Sequence, residues 1–137
     1  MILRLDFKSG TPLYLQLRNQ IVLGIGRGEL RAGEELPTVR GLAREAGINA
    51  MTAEKAYALL REEGYIVTNG RRGAAVAGLA VPKALPAQDA ETALPELEQH
   101  LELLVAEAVR HGVGKPDFIA ACERVFGRMK GLEPSRG

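Results

Sequence analysis

The sequence contains a single cysteine, no tryptophan and no long hydrophobic run. One cysteine cannot form an intrachain disulfide, which favours a reducing, cytoplasmic setting. The apolar stretches are only a few residues long, far shorter than the roughly 20 residues that a membrane-spanning helix needs. The first ten residues are too polar for a secretory signal peptide. We therefore expect a cytoplasmic protein that does not associate with membranes.

The net charge is also small, +1 over 137 residues, but it is unevenly distributed along the chain. Residues 1–78 carry 11 Lys or Arg against 8 Asp or Glu, whereas residues 79–137 carry 7 against 9. Apolar residues make up 46% of the chain, which is ordinary for a globular protein. A basic first part and an acidic second part are typical of a binding module joined to an assembly module.

A first helix is predicted after an extended arm formed by residues 1–10. Thr11 is the expected N-cap, and Pro12 suits the first helical position because its missing N–H costs nothing there. Up to Gly26 the apolar side chains recur at spacings of three and four: Tyr14, Leu17, Ile21 and Ile25. This spacing predicts one buried helix face.

Two further short helices are predicted, and a tight turn joins them. The second helix begins after Pro37 with Thr38 as its N-cap, and it ends at Gly47. The third runs from about Ala50 to Glu63, and Gly64 is expected to stop it in the left-handed conformation. Two short helices joined by a turn that contains glycine are typical of a helix-turn-helix.

The segment from Tyr65 to Gly78 predicts a β-hairpin. Asn69-Gly70 is a strong signal for a two-residue hairpin turn. The flanking strands are short, so they must pack against the helices to be stable. We therefore predict that residues 1–78 form a mainly α domain, a winged helix-turn-helix of three helices and a hairpin.

The remaining chain predicts a linker followed by a helical region. Residues 79–94 contain two prolines in an alanine-rich polar stretch and are expected to form the linker. Pro95 is expected to open a fourth helix and a fifth begins near Pro116, so residues 95–132 form two helices. Their apolar positions predict a dimerisation surface with a coiled-coil-like spacing in the fourth helix: Leu94, Leu97, Leu101, Leu104, Val105, Ala108, Phe118, Cys122, Val125 and Phe126.

Residues 12–76 resemble the DNA-binding domain of the GntR family of bacterial regulators. Four pieces carry the resemblance in order: PLYLQLRNQI, GELRAGEELPTVRGLA, GINAMTAEKAYALLREEGYI and the RRG of the hairpin. The stretch TAEKAYALLREEGYI and the short helical tail are most similar to the YtrA subfamily. This resemblance implies a homodimeric repressor that binds double-stranded operator DNA with a near-palindromic sequence. It also suggests that the protein controls a neighbouring transporter operon.

The family pattern places ten residues at the DNA: Thr38, Arg40, Asn49, Ala50, Met51, Thr52, Lys55, Arg71, Arg72 and Gly73. Arg40 suits a guanine edge or a phosphate, and Lys55 suits a phosphate. Arg71 and Arg72 suit a narrow minor groove. Structural alternatives remain open: Asn49 could serve only as a helix cap, and Lys55 could pair with a nearby glutamate.

Three positions depart from the family pattern. Gly41 stands where the family often has Glu. A capping box at Thr38 therefore lacks the Glu side chain that would accept a hydrogen bond from the Thr38 backbone N–H. Ala50 stands where relatives carry Arg or Pro, and Met51 where they carry Asn or Thr, so the operator sequence does not carry over. Their apolar side chains are suited to thymine methyl groups, or they simply let the helix approach the DNA closely.

Nothing in the sequence predicts an enzyme, a metal site or another cofactor. His100 and His111 lie eleven residues apart without neighbouring ligands, and Cys122 is expected to be a structural thiol. The 59 residues after Gly78 are a poor enclosure for a ligand pocket of about 300 Å³, so an effector site would lie between domains or subunits. The alternative function is a winged helix that binds a partner protein, which apolar Ala50 and Met51 favour and the basic hairpin disfavours.

Overall fold

The computed structural model describes residues 3–68, 73–77 and 90–129. Its elements are α1 (Leu13–Gly26), α2 (Val39–Ala46), α3 (Ala50–Glu63), β1 (Ile66–Thr68), β2 (Ala74–Val76), α4 (Ala90–Arg110) and α5 (Lys115–Arg128). They form two compact units, the first built from α1 to β2 and the second from α4 and α5. The predicted mainly α fold class is confirmed. None of the described helices combines the length and apolarity needed to cross a membrane.

The core of the first unit is built around α3, which packs against α1, α2 and β1. Its four inward side chains are at most 1% exposed, as the helical spacing predicts: Ala53, Ala56, Tyr57 and Leu60. From α1, Leu17, Ile21 and Ile25 complete this core. Each large aliphatic side chain buried in this way stabilises the fold by roughly 1.5–3 kcal/mol. The core therefore fixes the helix-turn-helix on α1.

Side-chain caps define where α2 and α3 begin. The Thr38 Oγ1 accepts a hydrogen bond from the Gly41 N–H at 3.0 Å. The Asn49 Oδ1 likewise accepts from the Thr52 N–H at 2.8 Å. Gly47, at φ 73°, follows α2 in the left-handed conformation that the turn requires. The predicted bounds of both helices and the predicted Thr38 cap are confirmed, and Asn49 caps α3.

The start of α1 differs from the prediction. Pro12 is the N-cap, with φ −54° and ψ 144°, the helix begins at Leu13, and no side chain caps it. The predicted Thr11 cap is therefore wrong. Gln16 holds this segment instead, because its Nε2 donates to the Thr11 carbonyl at 2.8 Å and to the Asp6 carbonyl at 2.9 Å. Its Oε1 accepts from the Asp6 N–H at 2.8 Å, which ties the N-terminal arm to α1.

The hairpin strands form as predicted, and a third segment joins them. β1 and β2 pair antiparallel, with Ile66 opposite Val76. The segment before α2 adds to β2, since the Leu36 N–H donates to the Ala74 carbonyl at 2.8 Å and the Val76 N–H donates to the Glu34 carbonyl at 2.9 Å. The predicted turn at Asn69-Gly70 lies outside the described residues.

The second unit begins earlier than predicted. α4 starts at Ala90, so residues 90–94 are helical and the predicted linker does not extend to residue 94. Pro95 lies inside the helix, where it lacks the N–H that would otherwise donate to the carbonyl four residues earlier. α5 begins at Lys115, next to its predicted start. No described side chain between residues 91 and 128 is fully buried.

Candidate nucleic-acid interface

The exposed N-terminal end of α3 is the first part of the candidate interface. Asn49 and Ala50 are exposed, and the Met51 side chain is 83% exposed. The Asn49 side chain caps the helix, because its Oδ1 accepts a hydrogen bond from the Thr52 N–H, and a DNA contact by Asn49 stays a prediction. A helix N-terminus carries partial positive charge and unpaired N–H groups, which favour a phosphate.

Lys55 lies one turn further along α3 and contacts an aromatic ring. Its Nζ is 4.1 Å from the centroid of the Tyr14 ring on α1. The expected alternative, an ion pair with a glutamate, does not occur among the described residues. The neighbouring Glu54 pairs instead with Arg61, at 3.0 Å. Lys55 therefore remains an exposed cation, and its partner Tyr14, which the sequence assigned to the core, belongs to the candidate site.

The start of α2 is fixed against both α3 and the hairpin. The Tyr57 hydroxyl donates a hydrogen bond to the Pro37 carbonyl at 2.7 Å. Burial raises the pKa of Tyr57, so the hydroxyl stays protonated and able to donate. Gly73 lies against the same segment, where an added Cβ would stand 3.6 Å from the Leu36 carbonyl oxygen and 3.8 Å from the Thr38 Cα. The structure thus brings two predicted site residues, Thr38 and Gly73, together.

The remaining predicted cations differ in what the structure shows of them. Arg40 is exposed in the first turn of α2 and makes no hydrogen bond or ion pair within the described residues. No described contact joins it to the end of α3. Arg71 and Arg72 lie outside the described part of the chain. Their predicted roles therefore rest on the sequence pattern.

A paired arginine at the other end of α3 provides a contrast. The Arg18 Nε and Nη2 donate to the two Glu63 carboxylate oxygens, each at 2.8 Å. Hydrogen bonding to Glu63 raises the pKa of Arg18, and the guanidinium also lies 5.6 Å from the Tyr65 ring centroid. Arg18 therefore ties α1 to the C-terminal end of α3. Lys55, by comparison, keeps its charge unneutralised near the N-terminal end.

The predicted dimerisation residues lie in the second unit and are incompletely covered within the single chain. Phe126 is 77% exposed and Leu97 is 56% exposed. Five others are exposed as well: Leu94, Leu101, Leu104, Val105 and Val125. Three are half-buried: Ala108, Phe118 and Cys122. In the described ranges, no three His, Cys, Asp or Glu side chains are placed to share a metal ion.

Comparison with known proteins gives matches among transcriptional regulators. Residues 10–76 match the bacterial regulatory proteins of the gntR family. The HTH-type transcriptional repressor YtrA of Bacillus subtilis is 31% identical over 117 residues, which cover 82% of this chain and 82% of the repressor. An HTH-type transcriptional regulator of Mycobacterium tuberculosis is 45% identical over 71 residues, which cover 52% of this chain. The match spans 59% of that regulator's own length.

A solved structure extends the likeness to both units. YtrA from Sulfolobus acidocaldarius, a GntR-family transcription factor, is 31% identical to this chain. The alignment covers 90% of this chain and 96% of that one, with a TM-score of 0.54. The winged-helix fold class expected from the sequence is confirmed by this similarity.

Proposed function

Because the chain belongs to the GntR family of bacterial regulatory proteins, we propose that it is a transcriptional repressor that binds operator DNA as a homodimer. The observation that carries the proposal is the exposed, capped N-terminal end of α3, with the cation Lys55 one turn away on the same helix. This end combines unpaired N–H groups with an unneutralised charge. Both features are suited to a phosphate backbone.

The N-terminal end of α3 enters the major groove in this proposal. Phosphate contacts from Lys55 and the helix terminus fix the position of the domain. Exposed Ala50 and Met51 meet thymine methyl groups, and Arg40 contributes a base contact. Arg71 and Arg72, whose roles rest on the sequence pattern, enter the neighbouring minor groove. Such a protein acts on chromosomal DNA in the cytoplasm.

The second unit supplies the dimer contact in the proposal. Its apolar side chains from Leu94 to Phe126 are incompletely covered in the single chain, and a second copy covers them. A twofold dimer presents two α3 helices to successive major grooves, so half-sites lie about 10 bp apart, or a multiple of it, in a near-palindrome. Repression then follows from occlusion of the promoter. The YtrA resemblance supports a neighbouring transporter operon as the target.

A mobility-shift assay on the DNA upstream of the protein's own gene tests this function. We expect a retarded complex that an excess of the same DNA abolishes and an equal mass of scrambled DNA does not. Footprinting of that complex is expected to show two protected half-sites. If the protein binds neither DNA, the result supports the alternative function, a winged helix that binds a partner protein. The 83% exposure of the Met51 side chain favours this alternative.

A further inference from the structure

The contact between Lys55 and Tyr14 gives α1 a part in the candidate DNA interface. The distance of 4.1 Å from Nζ to the ring centroid lies well within the roughly 6 Å range of a cation–π interaction. Lys55 takes part in no ion pair within the described residues. The ring is therefore its one defined partner there, and this ring comes from a different helix.

The Tyr14 ring occupies a fixed position. It is half-buried and packs against the core of the first unit. The first turn of α1, to which it belongs, is tied to the N-terminal arm by the Gln16 hydrogen bonds to Asp6 and Thr11. A lysine side chain, in contrast, has four rotatable bonds and loses conformational freedom when it binds. A fixed ring reduces the freedom that remains to be lost at the moment of DNA binding.

An aromatic partner also preserves the charge that a phosphate requires. A glutamate beside Lys55 would neutralise the ammonium and would itself repel the DNA backbone. The ring face attracts the ammonium through its quadrupole and carries no net charge. The N–H groups that point away from the ring stay open to phosphate oxygens.

We propose that Tyr14 is a positioning residue for DNA binding, whose ring holds the Lys55 ammonium in place for a phosphate. This inference rests on the proposed function. It assigns to Tyr14 a role that its place in the apolar spacing of α1 does not reveal. It also distinguishes the ring from the hydroxyl, because only the ring is needed to hold the cation.

A double-mutant cycle with Tyr14→Leu and Lys55→Ala tests the proposal, with DNA affinity measured by fluorescence anisotropy. We expect Tyr14→Leu to weaken binding about threefold for each half-site, and so about tenfold for a twofold complex. In the Lys55→Ala background, Tyr14→Leu should have no further effect. The matched variant Tyr14→Phe keeps the ring and should retain wild-type affinity. A purely structural role of Tyr14 would weaken binding equally in both backgrounds.

The free protein offers an independent measurement of the same contact. In an NMR spectrum, ring currents should shift the Lys55 ε-methylene proton resonances upfield in wild type and in Tyr14→Phe. Random-coil chemical shifts for these protons in wild type overturn the inference. This result does not depend on whether Tyr14→Leu folds. Equal or tighter DNA binding by folded Tyr14→Leu, or an equal loss in both backgrounds, overturns the inference and leaves the proposed function standing. A wild-type protein that binds neither operator nor random DNA overturns both.

Discussion

Two exposed cations of the helix-turn-helix, Lys55 and Arg40, have different surroundings. Lys55 is held by an aromatic ring, whereas Arg40 has no partner among the described residues. The lysine ammonium is a point charge that needs no fixed geometry at a phosphate, while a guanidinium matches the two acceptors of a guanine edge. From the proposed function we therefore expect Lys55 to position the protein on the DNA and Arg40 to contribute to base recognition.

The role of Lys55 predicts a uniform loss of DNA affinity in Lys55→Ala. A lost phosphate contact reduces the slope of log K against log salt by about 0.9, and a homodimer loses two such contacts. The affinities for operator and for random DNA should therefore fall nearly equally, and the slope should be reduced by up to about 2. Titrations of both DNAs at several salt concentrations measure this. Arg44→Ala, which removes an exposed charge from the last turn of α2, is the control and should leave the slope closer to wild type.

The role of Arg40 predicts a selective loss in Arg40→Ala. A bidentate contact with a guanine discriminates between bases by roughly 1–3 kcal/mol. Binding to the operator should therefore lose about that much free energy per half-site, while binding to random DNA loses little. The same titrations give the ratio of the two affinities. An unchanged ratio would contradict this role of Arg40. If Lys55→Ala weakens operator binding selectively and Arg40→Ala weakens binding to both DNAs equally, the two roles are reversed.

At the scale of the elements, the third helix depends on a cap that lies in the candidate interface. Asn49→Ala removes the acceptor for the Thr52 N–H and should lower the free energy of unfolding by about 1 kcal/mol. Asn49→Asp keeps an acceptor and suits the positive end of the helix dipole, so stability should be retained. The added negative charge should nevertheless weaken binding to both DNAs. Chemical denaturation and anisotropy titrations separate the two effects, and tight DNA binding by Asn49→Asp would place the end of α3 away from the backbone.

Elements with local signals could be predicted from the sequence. Thr38, Asn49, Gly47 and Gly64 each act within a few residues of the chain, and α2 and α3 have the bounds that these residues indicate. Prolines were less informative. Pro12 is a cap rather than the first helical residue, and Pro95 lies inside α4, because a proline near a helix start is compatible with several positions.

Contacts between distant segments had no sequence signal. The Tyr14 ring beneath Lys55, the Tyr57 hydroxyl on Pro37 and the addition of residues 34–36 to β2 depend on how the helices pack. The apolar spacing places Tyr14 and Tyr57 on inward faces, which is correct for their burial. It does not indicate what the Tyr57 hydroxyl or the Tyr14 ring face contacts. The sequence therefore yields a list of DNA-facing residues that stays a prediction, and it gives no signal for the partners that hold Lys55 and the start of α2.

At the scale of the whole molecule, the proposed repressor needs a second copy of the chain, and α4 offers a matched test of that need. Leu101 belongs to the predicted dimerisation surface, while Leu103 is displaced by about 200° around the helix. Both side chains are exposed in the single chain, at 42% and 67%. Leu101→Asp places a charge inside the interface of each copy, where burial without a partner is strongly unfavourable. Leu103→Asp adds the same charge on the opposite side.

Light scattering should therefore give about twice the 14.7 kDa chain mass for wild type and for Leu103→Asp, and the monomer mass for Leu101→Asp. The first unit has its own core, so Leu101→Asp should keep the circular dichroism of a folded winged helix. Its operator affinity should fall much more than its affinity for a single half-site, because the two half-sites lose the advantage of linked binding. A wild-type monomer at micromolar concentration would contradict the dimer. Equal dissociation by both variants would instead show that the contact does not follow the leucine face from Leu94 to Ala108.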